Sequence, residues 1–200
     1  MRQFYFLIIS ICFSTILLNA QAIGQPLQGY IVTKNNYQLT GSIGTIDHNS
    51  YGTMVEYIND FGTPYFLHPA LLKGFVYYEG PAMRAYESKR WKDRWYFLKV
   101  EYAGDNISLL QTPELQTTYN FRNGQLYTRT RKSVQFWVSM SNGFITPLKR
   151  LGFRNQMRRI VRDVSPQLAK KIGSKGYRFQ NIYSILAEYD RELAKGKVNL

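Results

Sequence analysis

Apolar and polar positions alternate with a two-residue period through most of this chain. From about residue 146 onward they recur instead at three- and four-residue spacing. The first alternating stretch, 29–46, reads Gly29-Tyr30-Ile31-Val32-Thr33, then Lys34-Asn35-Asn36-Tyr37, then Gln38-Leu39-Thr40-Gly41-Ser42-Ile43-Gly44-Thr45-Ile46. Two β-rich runs flank Asn35-Asn36, and asparagine tolerates the positive φ of tight turns. The pattern therefore predicts a β-hairpin at the start of the folded part.

Later segments extend the same plan. Short strands are predicted over 53–58 and 64–68, around the turn Asn59-Asp60-Phe61-Gly62. Two more, over 71–78 and 82–88, flank Glu79-Gly80-Pro81, whose proline cannot donate to a ladder. Tyr96, Leu98, Val100 and Tyr102 alternate with Phe97, Lys99 and Glu101, which predicts a strand with one buried face. Leu115, Thr117, Tyr119 and Phe121 alternate likewise, and Asn123-Gly124 joins them to 125–131 as a hairpin. Val134, Phe136, Val138 and Met140 form a further face, ended by Asn142-Gly143, and these strands are expected to be antiparallel neighbours. The 16 tyrosines and 12 phenylalanines suit half-buried sheet faces, where aromatic pairs pack across strands.

The period changes after Thr146-Pro147. Phe153, Met157, Ile160, Val161 and Val164 share one helical face, while Arg154, Arg158, Arg159 and Arg162 lie on the other. Ser165-Pro166 starts a second helix as N-cap and first-turn proline, and Gly173 stops it. Phe179, Ile182, Ile185, Leu186, Tyr189 and Leu193 mark a third helix ending near Gly196. Strands first and helices last predict an α+β fold: an antiparallel sheet, or partly open barrel of hairpins, with about three C-terminal helices packed on it. The expected organisation is a leader over 1–22, a β region over 23–146 and a helical region over 147–196. The last two are expected to form one cooperative unit, because each helix has an apolar stripe that the sheet can cover.

The leader reading rests on Arg2, the apolar run 4–18 and the small-x-small Ala20-Gln21-Ala22, which predict cleavage after Ala22 and export. Cys12 lies inside the apolar run, away from the cleavage point, so a lipid anchor is not expected. Without the leader no cysteine remains for disulfide or thiol chemistry, and no stretch is apolar for long enough to span a bilayer. The formal charge of +13 is unevenly spread. Residues 23–148 carry 12 Lys and Arg against 9 Asp and Glu; residues 149–200 carry 13 against 4. Such concentration suggests one basic face toward an anionic partner; a solvated surface is the other reading.

Candidate chemistry is sparse. His48 and His68, with Asp47, Asp60 or Glu56, would make a metal or acid–base site only if the fold gathered them, and no ligand spacing supports it. Pairs such as Asp47 with Asp60, or Glu56 with Glu101, are the carboxylates a hydrolase would use. No Gly-x-Ser-x-Gly elbow is present, and Gly41-Ser42-Ile43-Gly44 lacks the lysine of a phosphate loop. No cofactor, metal ligand or catalytic residue is therefore assigned. The binding candidates are Arg154, Arg158, Arg159 and Arg162, together with Lys89, Arg90, Trp91 and Lys92 of the run ending Asp93-Arg94-Trp95. Arginine pairs bidentately with phosphate or carboxylate, and a tryptophan among cations stacks on sugars or settles among lipid headgroups. Equally, the arginine stems would cover apolar surface and the tryptophans would pack.

Several segments together resemble a broad group of uncharacterised exported proteins of Bacteroidetes-type bacteria. The matching pieces are the leader, Gly29-Tyr30-Ile31-Val32-Thr33, Leu39-Thr40-Gly41-Ser42-Ile43 and Leu72-Lys73-Gly74-Phe75. They continue with Phe97-Leu98, Ile107-Ser108-Leu109, Phe153 opening a helix, Ser165-Pro166-Gln167-Leu168, and a helix closing near Tyr189-Asp190. This chain departs from the group at Asn35-Asn36, where Asp-Gly is frequent, and at Tyr189-Asp190, where Tyr-Asn is usual. The resemblance implies a bacterial envelope location and carries no chemistry with it. The expectation is an exported, non-enzymatic binding or structural module of the cell envelope. Its basic helical face would meet a lipid headgroup layer, lipopolysaccharide or an acidic glycan, or the chain would meet another envelope protein. An envelope hydrolase using paired carboxylates in a sheet cleft is the alternative; nucleic acid has the charge in its favour but not the address.

Overall fold

The structure, a computed structural model, describes residues 25–198. The expected leader and Cys12 lie outside the described residues. The strands are β1 (Leu27–Thr33), β2 (Gln38–Asn49), β3 (Gly52–Asn59), β4 (Pro64–Leu67), β5 (Leu72–Glu79), β6 (Ala82–Trp91), β7 (Arg94–Ala103), β8 (Ile107–Gln111), β9 (Leu115–Arg122), β10 (Gln125–Lys132), β11 (Phe136–Met140) and β12 (Ile145–Leu148). Three helices follow: α1 (Phe153–Val161), α2 (Pro166–Lys171) and α3 (Ile182–Val198). The architecture is α+β, an open antiparallel sheet of ten strands with the helices at its C-terminal end. Its order is β12-β11-β8-β7-β6-β5-β1-β2-β3-β4, and β9 pairs with β10 in a separate ribbon.

Turn chemistry sets the opening hairpin. Thr33 accepts from the Asn36 N–H at 3.1 Å, and of the two asparagines only Asn36 takes a positive φ, 67°. The pairing Leu27↔Ile43 through Val32↔Gln38 then places Ile31 and Ile43 in the core. At the other predicted hairpin, Asn123 (φ 52°) and Gly124 (φ 75°) both occupy the left-handed region that a two-residue turn with matching strand twist requires. Arg122 therefore faces Gln125, and the β9–β10 register runs unbroken to Leu115↔Lys132.

Two expectations about the strands are corrected. First, β9 and β10 are not neighbours of the strands around them in the main sheet: β8 pairs directly with β11. The ribbon is an insertion whose neck is closed by Thr112 N–H to Gln135 O (3.0 Å), Gln135 N–H to Thr112 Oγ1 (3.0 Å) and Ser133 N–H to Glu114 O (2.8 Å). Second, β7 buries both faces. Phe97 joins Ile31, Ile43, Val55, Tyr57, Phe75 and Tyr86, whereas Tyr96 and Leu98 join Leu110 and Trp137 on the opposite side. The physical reason is curvature. β3 returns to touch β7 and β12 returns to touch β6, so the open sheet curls over apolar side chains on each face.

The third cluster holds the helices down. Phe153, Met157 and Val161 of α1, Leu168 and Ala169 of α2, and Ile182, Ile185, Leu186 and Tyr189 of α3 cover Ile107, Leu109, Val138 and Leu148. Ser165 Oγ accepts the Leu168 N–H at 3.2 Å, the expected N-cap, and Gly173 ends the segment at φ 98°. The third helix starts at Ile182, after a 3-10 turn over Phe179–Asn181, and continues past Gly196 to Val198. Polar contacts fix the same interface. Gln156 donates to Pro147 O (3.0 Å) and accepts the Lys149 N–H (2.9 Å), tying α1 to β12. Asp190 of α3 accepts from Tyr102 Oη (3.0 Å), the Asn106 N–H (3.0 Å) and Asn106 Nδ2 (3.3 Å), pinning α3 to the β7–β8 connection.

Candidate functional site

The four arginines of α1 and its C-cap do not share one role. Arg158 is half-buried; its Nε donates to Ala169 O (3.1 Å) and its Nη2 to Lys170 O (3.4 Å). Those carbonyls belong to the last turn of α2, where a cation satisfies acceptors left without helical partners. Arg158 is thus a strut between two helices. Arg154 lies along the bare backbone of Gly173, where an added Cβ would meet its Cδ at 2.8 Å, and the residue is exposed. Arg159 is exposed as well. Arg162 approaches Asp163 at 3.6 Å, but both are largely in water, so the pair contributes little.

Three cations that the periodicity did not single out complete the face: Arg150, Arg178 and Lys170. Arg150 and Arg178 line a concavity of about 570 Å³ with Arg154, Asn155 and Gln180, at the N-terminal end of α1. The helix begins at Gly152, with no side-chain cap and no acidic residue in its first turn, so its leading end adds positive potential there. A second concavity of about 640 Å³ shares Asn155 and is lined by Arg158, Arg159, Arg162 and Lys170. Among the described residues no carboxylate lines either one. Arg150 and Arg178 lie outside the helical repeat, which is why spacing missed them; only the charge surplus after residue 149 pointed their way. Such a face can hold phosphate or carboxylate groups through charge-assisted hydrogen bonds.

The run 89–95 lies elsewhere. Lys89 pairs with Glu87 at 2.8 Å, Arg90 is exposed, and Trp91 meets Trp137 edge-on at 5.2 Å. Trp137 alternates with Val138, which faces the helices, so Trp91 sits on the other side of the sheet. Lys92 stands over the Trp91 ring at 4.6 Å and Lys34 over Trp95 at 4.8 Å. The two expected binding groups are therefore not brought together.

The acid–base candidates are each engaged locally. Glu56 accepts the Thr45 N–H (3.1 Å) at a bulge in β2, and Asp60 accepts from Thr40 Oγ1 (2.7 Å). Asp47 lies seven residues further along β2 from Thr40, roughly 20 Å away, with Asn49 Nδ2 at 2.9 Å. Lys99 pairs with Glu101 at 2.8 Å. His68 Nδ1 accepts the Ala70 N–H at 3.2 Å as the cap of a 3-10 turn, and buried His48 contacts Thr53 Oγ1 at 3.2 Å. Among the described residues no group of three or more His, Cys, Asp or Glu side chains stands ready for a metal ion.

Among the described residues, two groups that titrate below neutral pH make stability depend on it, in separate windows. Burial pushes the His48 imidazole below its ordinary value of 6.5, against smaller upward pulls from the Gly52 backbone and Asp47. As pH falls below 6.5 the unfolded chain binds a proton that the folded chain resists, so stability falls. Burial raises Glu188, but hydrogen bonds from Lys171 and Tyr177 (both 2.9 Å) outweigh it and hold the carboxyl below 4.5. Its contribution is present above 4.5 and is lost as pH falls through its folded value. Urea melts of the wild type between about pH 7 and about pH 5 should show a loss that His48→Gln lacks. Equal slopes for the two proteins would refute the assignment.

No protein-family model matches the chain, and no curated protein or solved structure is significantly similar to it.

Proposed function

We propose that this protein is an exported, non-enzymatic binding module of a bacterial cell envelope, and that its helical end holds an anionic envelope component. The observation that carries the reading is the pair of adjoining concavities that cations line, with no carboxylate among their described linings. The recognised chemistry is phosphate or carboxylate, as displayed by lipopolysaccharide, phospholipid headgroups or acidic glycans. Binding is favoured over hydrolysis because Asp47, Asp60, Glu56 and Glu101 each serve a different local partner. The envelope address rests on the leader pattern and on the resemblance to exported proteins of Bacteroidetes-type bacteria.

Co-sedimentation with lipopolysaccharide, anionic vesicles and an acidic glycan, each across a salt series, tests the reading. Binding to at least one should weaken as salt rises, since screening acts over about 8 Å at physiological ionic strength. The variant Arg150→Gln/Arg154→Gln/Arg178→Gln should bind that ligand about tenfold more weakly with a nearly unchanged melt, because exposed charges stabilise the fold little. Arg158 is left intact, since it ties α1 to α2. Binding by the variant equal to wild type at every salt concentration would end the proposal.

A further inference from the structure

The β9–β10 ribbon presents two unlike faces. Direct pairing puts Phe121 with Leu126 and Tyr119 with Thr128 on one face, while Thr118 with Arg129 and Gln116 with Arg131 share the other. Arg122 joins the second face at the tip, and residues 115–132 contain no acidic residue. A two-stranded ribbon with this much apolar surface in water is marginal by itself and gains by covering it. Phe121 is 78% exposed and Leu126 53%.

The ribbon is also aimed. Leu115 shares a concavity with Ile43 to Ile46, and Tyr119 Oη reaches Asp47 Oδ2 at 3.4 Å, so β9 runs alongside β2 in the same direction. Its tip therefore lies toward the β2–β3 turn, where Tyr51 is 81% exposed. Arg94 donates to Ser50 O at 2.6 Å, which brings the β6–β7 turn, with Lys92, to the same end of the sheet. Three large apolar side chains thus project from one end, among Arg94, Lys92 and Arg122. The nearby carboxylates are Asp93 in the β6–β7 turn and Asp47, which Asn49 and Tyr119 hold.

We infer that this end of the sheet docks on an anionic phospholipid surface, with Phe121, Leu126 and Tyr51 entering the acyl boundary. Arg122, Arg94 and Lys92 then meet the phosphates. Exposed apolar side chains at a tip ringed by cations suit the boundary between headgroups and acyl chains. Two other occupants fit less well. A nucleic acid on the arginine face would leave Phe121 and Leu126 in water. A second copy added edge to edge along β10 would extend the ribbon and still leave Phe121 and Leu126 on an open face. The inference does not rest on the helical arginines.

The probe is a vesicle of equal parts phosphatidylcholine and phosphatidylglycerol. With it, Phe121→Trp should show a blue-shifted emission, taken as a difference from wild type, that lipids with brominated chains quench. Phe121→Ser/Leu126→Ser should sediment with the vesicles about tenfold less than wild type while melting at the same temperature. Emission from Phe121→Trp that brominated lipids leave unquenched overturns the inference, as does a double variant that binds like wild type. So does vesicle-independent dimerisation abolished by the same substitutions, or tighter retention on a DNA oligonucleotide than on the vesicle. Adding Arg150→Gln/Arg154→Gln/Arg178→Gln to Phe121→Trp should keep the quench. If the quench is lost, the vesicle contact belongs to the helical face and the inference falls while the proposed function stands.

Discussion

A chain ending at Gly176 is expected to lose its cooperative thermal transition altogether. α3 supplies Ile182, Ile185, Leu186 and Tyr189, all 3% exposed or less, to a cluster whose floor is Ile107, Leu109, Val138 and Leu148. Burying each such side chain stabilises by about 1.5–3 kcal/mol, so the four together contribute on the order of 10 kcal/mol. That matches the whole stability of an ordinary domain, about 5–15 kcal/mol. The truncation also removes Glu188 from Lys171 and Asp190 from Tyr102 and Asn106. Circular dichroism melts, with a dye that reports exposed apolar surface, make the comparison. A truncated chain melting cooperatively near the full-length temperature would show instead that the sheet stands alone and that the boundary near residue 146 separates two independent units.

Asp190→Ala is expected to destabilise the full chain by about 2–4 kcal/mol, enough to lower the melting temperature by roughly 5–15 °C. The carboxylate accepts three hydrogen bonds from two residues more than 80 positions away, at the partly buried junction of α3 with the β7–β8 connection. Alanine takes this acceptor from the Tyr102 hydroxyl and the Asn106 N–H without filling its place, and groups that lose a buried partner cost more than the bond contributed. Gly104 shows how closely the connection is built around this side chain: a Cβ there would collide with the Asp190 carboxylate and lie 2.7 Å from Ile107 O. Asp190→Asn keeps one acceptor and should lose less. Equal melting temperatures for wild type and the alanine variant would show that the junction is held by apolar packing alone.

Local rules were enough for most of the elements, but β8 and β12 are not among the strands they predict. Asn123-Gly124, Gly80-Pro81, Ser165-Pro166 and the 153–164 apolar stripe each encode a turn, cap or face within a few residues. The strand-then-helix order encoded the α+β class in the same way. The basic character of the C-terminal quarter was legible too, because charge is a property of composition.

What periodicity does not carry is which faces meet. Phe97 looks like the outward residue of β7 until β3 curls back over it, and Lys99 and Glu101 satisfy each other on that strand rather than facing open water. Leu115–Phe121 alternates as regularly as any core strand, yet its ribbon leaves the sheet because β8 finds β11. Arg158 is indistinguishable from Arg159 in the sequence. Only the placement of α2 makes Arg158 a strut and leaves Arg159 exposed at the rim of a concavity, beside the one that Arg150 and Arg178 complete from outside the helix. Alternation, capping and charge act over a few residues, so the chain by itself determined most of its elements and their order, while β8 and β12 show themselves only beside the strands they pair with. Curvature, strand choice and helix docking arise from contacts between residues far apart, and only the tertiary structure decided which side chains those contacts bury and which they leave for a partner.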